Sequence, residues 1–180
     1  VFEDDGITLE AVYETPFLGH APMEPPCALA DVKNERVNVW AAVQDPQSTR
    51  DHVANWLKTD ARNVAINVTL LGGAFGRKSK PDFVLEAVEL SRRLRRPIRV
   101  QWSRENDIQH DYYHAANAQL YRATLDEEGM PIAWLQRTAF PSIMTTYARG
   151  SNDPAGWELE MGFSNTPYRI RNQRFESKGL

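Results

Sequence analysis

A glycine-rich stretch in the middle of the chain constrains the fold more than any other feature. Residues 70–78 are LLGGAFGRK, and they follow a β-branched apolar run at 64–71 that predicts a core strand. Pro81 and Asp82 then begin a segment in which apolar residues recur at helical spacing. The sequence therefore predicts a strand, a glycine loop and a helix in direct succession.

The loop has two interpretations. Gly72, Gly73 and Gly76 allow positive φ and let a ligand approach main-chain N–H groups, and the helix that follows offers a positive dipole end. These properties favour anion or cofactor binding, but a tight turn without a ligand needs the same glycines. Two familiar motifs are absent, since there is no Gly-x-Gly-x-x-Gly and the loop lacks the Gly-Lys-Ser/Thr ending of a P-loop.

Patterning predicts the other elements. Before the loop we expect a short strand at 9–13 and a rigid proline-rich loop at 15–26. A hairpin of two strands, 28–32 and 36–43, should follow, and then a helix at 46–57 that starts after Asp45. After the helix that begins at Pro81 we expect one strand at 98–102 and a long hairpin formed by 117–126 and 131–140. A stretch of about 20 residues without pattern follows residue 142, and the last expected strand is 168–175. We expect strand 98–102 to pair beside the strand that precedes the glycine loop.

This order of elements predicts an α/β (α+β) fold with a mixed β-sheet, helices packed on one face, and antiparallel strands in the second half. A length of 180 residues fits one domain, 1–180, although the same length could hold two small lobes. The chain starts at Val1 without Met and ends in a strand-like run without a polar tail. These ends favour a segment of a longer protein.

Composition excludes several function classes. The net charge is -3 with both signs mixed, so neither nucleic acid nor an anionic membrane is an expected partner. No apolar run approaches the roughly 20 residues that span a bilayer. A single cysteine, Cys27, excludes an internal disulfide and is expected to be inert packing. The arginines at 92, 93, 95 and 96 are explained by the macrodipole, because they lie near the end of a predicted helix.

Side chains that often bind metals do not form a convincing set. His20 and Glu24 lie in the proline-rich loop and could be metal ligands or an acid–base pair. One histidine and one carboxylate are, however, fewer ligands than a metal site usually has. His110, Asp111 and His114 are close in sequence without diagnostic spacing, so a solvated or substrate-lining role is favoured. We expect no metal ion held by side chains.

Several motifs, taken together, resemble one family. They are FLGHAPMEP at 17–25, Trp40 followed by QDP at 44–46, GGAFGRK at 72–78 and QWSREND at 101–107. Their order is similar to that in the large molybdenum-binding subunit of the xanthine dehydrogenase and aldehyde oxidase family, with the isoquinoline 1-oxidoreductase beta subunits as the nearest branch. The resemblance covers residues 13–175 and extends to the fold, which would be a molybdopterin-binding subdomain of that type.

The resemblance implies a cofactor and residues that contact it. In this family the metal is held by a pterin dithiolene, so molybdopterin with molybdenum is expected, in its cytosine dinucleotide form. Gln44 matches the glutamine that hydrogen-bonds the oxo ligand. The cofactor-binding residues would be Gly72, Gly73, Phe75, Gly76 and Arg77. His20 and Glu24 match residues that shape the site.

The sequence departs from the family pattern at several positions. Ala74 replaces a glycine, which requires a negative φ there, and Lys78 replaces the usual second arginine. His114 stands where purine-oxidising members hold the substrate with an arginine, so His114 would line the substrate site and a purine is disfavoured. The glutamate that acts as general base lies in the family's C-terminal region, beyond residue 180, so this chain would lack it.

The resemblance thus implies part of a molybdenum hydroxylase that oxidises an aldehyde or an N-heteroaromatic compound with water-derived oxygen. Electrons would pass to iron–sulfur clusters on a partner subunit, and the fragment alone would be inactive. Two alternatives stay open: a non-catalytic binding or assembly module that keeps the fold, and a nucleotide-phosphate binder that uses residues 72–78. Periplasmic and cytoplasmic locations also both stay open.

Overall fold

The computed structural model describes residues 6–147, 150 and 152–180. The acidic start at 1–5, whose sequence contributes to the prediction of a longer protein, lies outside the described residues. The chain divides into two compact units, one formed by Val1–Leu18 with His114–Leu180 and the other by Gly19–Tyr113. Each unit contains one four-stranded sheet.

Eight strands and four α-helices make up the regular structure of the described residues. In chain order they are β1 (Ile7–Thr15), β2 (Cys27–Lys33), β3 (Arg36–Ala41), α1 (Pro46–Leu57), β4 (Val64–Val68), α2 (Asp82–Leu94), β5 (Ile98–Gln101), α3 (Arg104–Gln109), β6 (Asn117–Leu125), β7 (Pro131–Ala139), α4 (Gly156–Leu159) and β8 (Asn172–Lys178). Short 3-10 helices occupy Ala61–Asn63, Arg77–Ser79 and Ile143–Thr146.

The unit Gly19–Tyr113 is built on a sheet with strand order β4-β3-β2-β5. β2 and β3 form the predicted antiparallel hairpin, and β3 pairs in parallel with β4. Alternate residues of β3 are buried, so one face of the sheet packs on α1 and α2 while the other face stays exposed. The predicted helices on one face of a mixed sheet are therefore confirmed.

Two of the three helices of this unit, α1 and α2, form where the sequence predicts them. α1 starts at Pro46, and the Asp45 side chain accepts a hydrogen bond from the Ser48 amide at 2.9 Å. α2 buries a stripe that includes Phe83 and Val84 at no measurable exposure. Burial of such side chains contributes about 1.5–3 kcal/mol each, so α2 is the main element that covers the sheet.

The predicted position of β5 is wrong. β5 pairs antiparallel with β2 at one edge of the sheet, whereas β4, which precedes the glycine loop, forms the other edge. The reason is the path of α2, which packs over β2, β3 and β5 and so carries the chain across the sheet. Ser91 of α2 accepts a hydrogen bond from the Val32 amide of β2 at 3.0 Å, which fixes the helix there.

The other unit contains a sheet with strand order β1-β6-β7-β8. β1 and β6 are antiparallel, and β6 and β7 form the predicted hairpin. The prediction of antiparallel strands fails for β8, which begins later than predicted, at Asn172, and runs parallel to β7. Parallel pairing needs a long crossover, and residues 140–171 provide it.

That crossover includes the stretch in which the sequence shows no pattern. Within it Glu158 accepts hydrogen bonds from the Ser142 hydroxyl at 2.7 Å and the Ile143 amide at 2.8 Å, so one carboxylate organises the 3-10 helix and α4. Residues 148, 149 and 151 of the stretch lie outside the described part. Across the described residues, no helix has the length and apolar character needed to cross a membrane.

Candidate functional site

Parallel pairing of β3 and β4 brings two predicted features to the same edge of the sheet. Ala41 at the end of β3 lies opposite Val68 at the end of β4, and the Thr69 amide donates to the Ala41 carbonyl at 3.2 Å. Because carboxyl ends of parallel strands coincide, the corner that carries Gln44 and the loop that follows β4 leave the sheet side by side. Ligand sites in α/β sheets commonly lie at such edges.

A direct hydrogen bond joins the corner to the loop. The Gly76 amide donates to Oε1 of Gln44 at 3.1 Å, and the Gln44 amide donates to the Lys78 carbonyl at 3.0 Å. Since a main-chain N–H can only donate, the side-chain atom that faces Gly76 must be the oxygen. Nε2 of Gln44 donates to no group among the described residues, and the side chain is exposed. Gln44 thus presents an oriented NH₂ donor.

The loop backbone is unusual at three positions. Gly73 and Gly76 have φ of 92° and 105°, and Phe75 has φ of 56° although it is not glycine. A phenylalanine in the left-handed region is uncommon and strained, and Phe75 as a whole is 66% exposed. Ala74 does not share the positive φ, so the replacement of the family's glycine by alanine is compatible with the backbone here.

Three main-chain N–H groups in the turn of the loop have no acceptor among the described residues. The amides of Gly72 and Gly76 donate to side chains of Glu24 and Gln44 at 3.2 and 3.1 Å. Within the described part of the chain, the amides of the three residues between them, 73–75, donate to no acceptor. Successive free amides in a loop with alternating φ form a recognised anion-binding arrangement. The loop therefore offers backbone donors rather than charged side chains.

Arg77 lies beneath the loop with no exposed surface. Its guanidinium donates to both oxygens of Asp82 at 2.9 and 2.7 Å, and Nε is 3.2 Å from Asp111. The rings of Trp102 and Tyr112 each lie 5.2 Å from its central carbon. Burial alone would lower the pKa of Arg77, but the nearby carboxylates outweigh it and raise the pKa. Arg77 is consequently a structural anchor beneath the loop, and its amide also donates within the loop, to the Ala74 carbonyl at 3.0 Å.

Lys78 is also fully buried. Its Nζ lies 2.6 Å from Oε2 of Glu24, and the Glu24 amide donates to the Gly72 carbonyl at 3.0 Å. Burial raises the pKa of Glu24, but Lys78 and the Gly72 amide together act more strongly and hold it below its ordinary value of 4.5. Glu24 therefore lies at the site, in direct contact with the loop.

His20 also lies next to the loop. Its Nδ1 is 2.9 and 3.0 Å from the two oxygens of Asp111, and Nε2 would lie 3.6 Å from a Cβ placed on Gly76. His114 belongs to the other unit, where its backbone pairs with Leu18 and its side chain is exposed. The structure brings His20 together with Gln44 and the loop in one unit, whereas His114 is part of the second unit.

Sequence reasoning misses the anchors under the loop. It favours a solvated or substrate-lining Asp111, but this side chain is 1% exposed and contacts His20 and Arg77. Trp102 stands out in the sequence only as part of a motif, yet its Nε1 donates to Glu86 at 2.8 Å and its ring covers Arg77. The sequence signal that could have revealed these anchors is the presence of aromatic residues after the end of β5 and after the end of α3. No group of three or more potential ligands for a metal occurs within the described ranges.

Comparison with known proteins identifies the family. The model of the molybdopterin cofactor-binding domain matches residues 1–180. A nicotinate dehydrogenase subunit of Pseudomonas putida is 32% identical over 174 residues, which cover 92% of this chain and 14% of that protein. The beta subunit of isoquinoline 1-oxidoreductase from Brevundimonas diminuta is 27% identical over 148 residues, covering 76% and 19%.

Solved structures share the fold. Quinoline 2-oxidoreductase from Pseudomonas putida 86 superposes with a TM-score of 0.76 at 21% identity, over 98% of this chain and 23% of that one. Aldehyde oxidoreductase from Desulfovibrio gigas gives a TM-score of 0.74 at 15% identity, over 98% and 20%.

The fold and the glycine loop are therefore those of a cofactor-binding domain. The chain belongs to the molybdopterin cofactor-binding domain family, within the molybdenum-binding subunits of the xanthine dehydrogenase and aldehyde oxidase type. It spans 14–19% of the length of the two relatives described above.

The residues present fit such a cofactor. Molybdenum that is chelated by its own pterin needs hydrogen-bond donors from the protein and not a cluster of ligating side chains. Nε2 of Gln44 and the amides of residues 73–75 are donors without acceptors in the described structure. The donor set matches what the family's cofactor requires.

Proposed function

We propose that this chain is the first molybdopterin-binding subdomain, residues 1–180, of a larger molybdenum hydroxylase subunit. The complete enzyme oxidises an aldehyde or an N-heteroaromatic compound with oxygen derived from water. Support comes from relatives named for nicotinate, isoquinoline and aldehyde oxidation and from the donor set on the loop.

One observation carries the proposal, namely the orientation of Gln44. Its oxygen is committed to the Gly76 amide, so Nε2 is held as a donor at the edge where the loop amides are free. We assign Nε2 to a hydrogen bond with the metal's oxo ligand. The amides around Gly73 and Phe75 are assigned to the pterin and its surroundings, with Gly72 and Gly76 completing the cofactor-binding loop.

Other residues contribute indirectly. Arg77, matched by resemblance to the cofactor-binding set, acts in this proposal by supporting the loop from beneath, because the whole residue is buried and its guanidinium is paired with Asp82. His114 is assigned to the lining of the substrate site on the strength of its sequence position. Its replacement of an arginine favours a substrate other than a purine.

The chemistry requires more than this chain. When bound, the molybdenum centre supplies the two-electron oxidation and the activation of water. Gln44 and the loop amides orient and polarise by hydrogen bonds, which act strongly where water is excluded. We propose that a glutamate elsewhere in the subunit is the general base, so the isolated chain is inactive.

We extend the proposal to the form of the cofactor and to partners. Molybdopterin is assigned as the cytosine dinucleotide, and iron–sulfur clusters on a partner subunit receive the electrons. Relatives named as subunits, among them a molybdenum-binding subunit of an Escherichia coli aldehyde oxidoreductase, support an assembly of several chains. The remainder of its own subunit is the other partner.

Metal and pterin content of the purified full-length protein tests the proposal. We expect molybdenum and pterin in equal amounts, with substrate oxidation that depends on both. Turnover that is undiminished in metal-free protein would refute it. Full-length protein in which Gln44→Ala leaves oxidation unchanged would instead favour the non-catalytic assembly module.

The nucleotide-phosphate alternative fits the structure less well. A phosphate site of that kind uses a cationic side chain beside the glycine loop, but Arg77 and Lys78 are both buried and paired with carboxylates. Calorimetry with a nucleoside triphosphate should show no saturable binding to this chain, and binding at micromolar concentration would revive the alternative.

A further inference from the structure

Glu24 joins both ends of the glycine loop. Its carboxylate oxygen Oε2 accepts hydrogen bonds from the Gly72 amide at 3.2 Å and from Nζ of Lys78 at 2.6 Å. The Glu24 amide also donates to the Gly72 carbonyl at 3.0 Å. One residue of the proline-rich loop is therefore bonded to the first and the last residue of the stretch 72–78.

The contact at Gly72 leaves no room for a side chain. A Cβ placed on Gly72 would lie 2.6 Å from Cβ of Glu24, a distance that real structures do not tolerate. Gly72 is thus needed for close approach and not for a positive φ, which it does not adopt. The backbone of the loop lies directly on Glu24.

The ammonium group of Lys78 has no access to water, so it depends on Glu24 as its partner. Lys78 has no exposed surface, while the Glu24 side chain is 38% exposed. A buried ammonium group is stable only when paired and hydrogen-bonded, so Lys78 holds the carboxylate in one orientation. The Lys78 carbonyl accepts from the Gln44 amide, which ties the same end of the loop to the corner after β3.

We propose that Glu24 is a positioning residue, which acts by tying Gly72 to Lys78 and so holds the amides of residues 73–75 in the orientation that receives the cofactor. Glu24 touches neither the cofactor nor the substrate in this role. The inference rests on the proposed function, because it concerns what the loop amides bind.

A role for Glu24 as an acid–base group is less consistent with the contacts. Oε2 already accepts from an ammonium group and an amide, which leaves no proton on that oxygen to donate. The pKa of Glu24 lies below its ordinary value for the same reason. A carboxylate that stays ionised and paired is suited to hold a backbone in place.

Four variants of the full-length protein distinguish the contact of Glu24 with the Gly72 amide from its contact with Lys78. Glu24→Ala removes both contacts, and Glu24→Gln keeps an acceptor for Gly72 but removes the charge. Lys78→Met removes the cation, whereas Lys78→Arg restores one. Glu35→Ala, at an exposed carboxylate in the turn after β2, is the matched control.

The readouts are molybdenum and pterin retained after gel filtration, and amide hydrogen exchange of residues 70–78. We expect Glu24→Ala and Lys78→Met to lose cofactor about 10-fold faster and to exchange the Gly72 amide about 10-fold faster, as removal of a charge-assisted hydrogen bond implies. Glu24→Gln should lie between them and the wild type. Lys78→Arg and Glu35→Ala should match the wild type.

Retention of cofactor and of amide protection in both Glu24→Ala and Lys78→Met would overturn the inference. If Glu24→Ala does not fold, as judged by circular dichroism, wild-type values for Glu24→Gln and Lys78→Met together would also overturn it. Wild-type protein without molybdenum and pterin would refute the proposed function instead. In that case the exchange of the Gly72 amide still decides whether Glu24 positions the loop.

Discussion

Arg77 and Asp82 form a bidentate ion pair in which each carboxylate oxygen accepts from a different guanidinium nitrogen, at 2.9 and 2.7 Å. Arg77 is the residue after the last glycine of the loop, and Asp82 is the first residue of α2. The pair therefore fixes the angle at which the chain leaves the loop and enters the helix.

Asp82→Ala should strongly destabilise the chain, because it leaves the buried guanidinium of Arg77 without its main partner. We expect a loss of about 3 kcal/mol in the free energy of unfolding, the lower end for breaking a buried pair, since Asp111 remains nearby. Urea denaturation measures it. Asp51→Asn, at an exposed carboxylate of α1, should change stability by less than about 0.5 kcal/mol, and equal effects would contradict the assignment.

Gly76→Ala should cost stability through backbone strain alone. Gly76 has φ of 105°, and the nearest atom to an added Cβ is 3.6 Å away, so space is sufficient but the conformation is not. We expect a loss of about 1–2 kcal/mol, measured by thermal denaturation. Gly156→Ala, at the start of α4 where φ is ordinary and nothing lies within 4 Å, should be neutral or slightly stabilising.

Gln44→Glu should impair turnover of the full-length enzyme while the loop stays in place. A carboxylate can still accept from the Gly76 amide, but it lacks the donor that Nε2 provides. We expect kcat to fall about 100-fold, which is typical when a donor to developing charge is removed, with thermal stability within a few degrees of the wild type. Gln101→Glu, at an exposed glutamine of β5, is the control. A Gln44→Glu enzyme with wild-type kcat would remove Nε2 from the mechanism.

The Glu24–Lys78 pair should make stability depend on pH in the acid range. The pKa of Glu24 is lower in the folded chain than its ordinary value of 4.5, so the pair stabilises the fold above that value. This contribution is lost as pH falls through the folded pKa. Urea midpoints measured between pH 6 and pH 3 should fall less steeply for Glu24→Gln than for the wild type. Identical slopes would show that Glu24 is not selectively stabilised as an anion.

Local patterns predict most of the unit that carries the site. The hairpin of β2 and β3, helix α1 with its Asp45 cap and helix α2 follow from alternation, capping and helical spacing, all of which act over a few residues. The position of β5 does not follow, because it depends on where α2 packs. The parallel direction of β8 likewise depends on a long crossover that has no repeating pattern.

Within the site, the loop and the corner at Gln44 are predictable from the sequence. The glycines indicate the loop, and the family motifs, which occur in the same order in this chain, indicate Gln44. The buried roles of Arg77 and Lys78 are not predictable, since a basic pair after a glycine loop equally suits a surface that binds anions. Asp111 is not recognisable as an anchor either. Its partners His20 and Arg77 lie 91 and 34 residues away in sequence, and only the tertiary fold brings them together.

The supports of the loop come from widely separated parts of the chain: Glu24 from the proline-rich segment, Asp82 from α2 and Asp111 from the segment after α3. The conformation of residues 70–78 is therefore not encoded in those nine residues. A synthetic peptide of this sequence, or the same sequence transplanted into another protein, would lose the carboxylates that neutralise its two cations. The unit that has to be kept together in any redesign is therefore the loop with its three carboxylates, and not the loop alone.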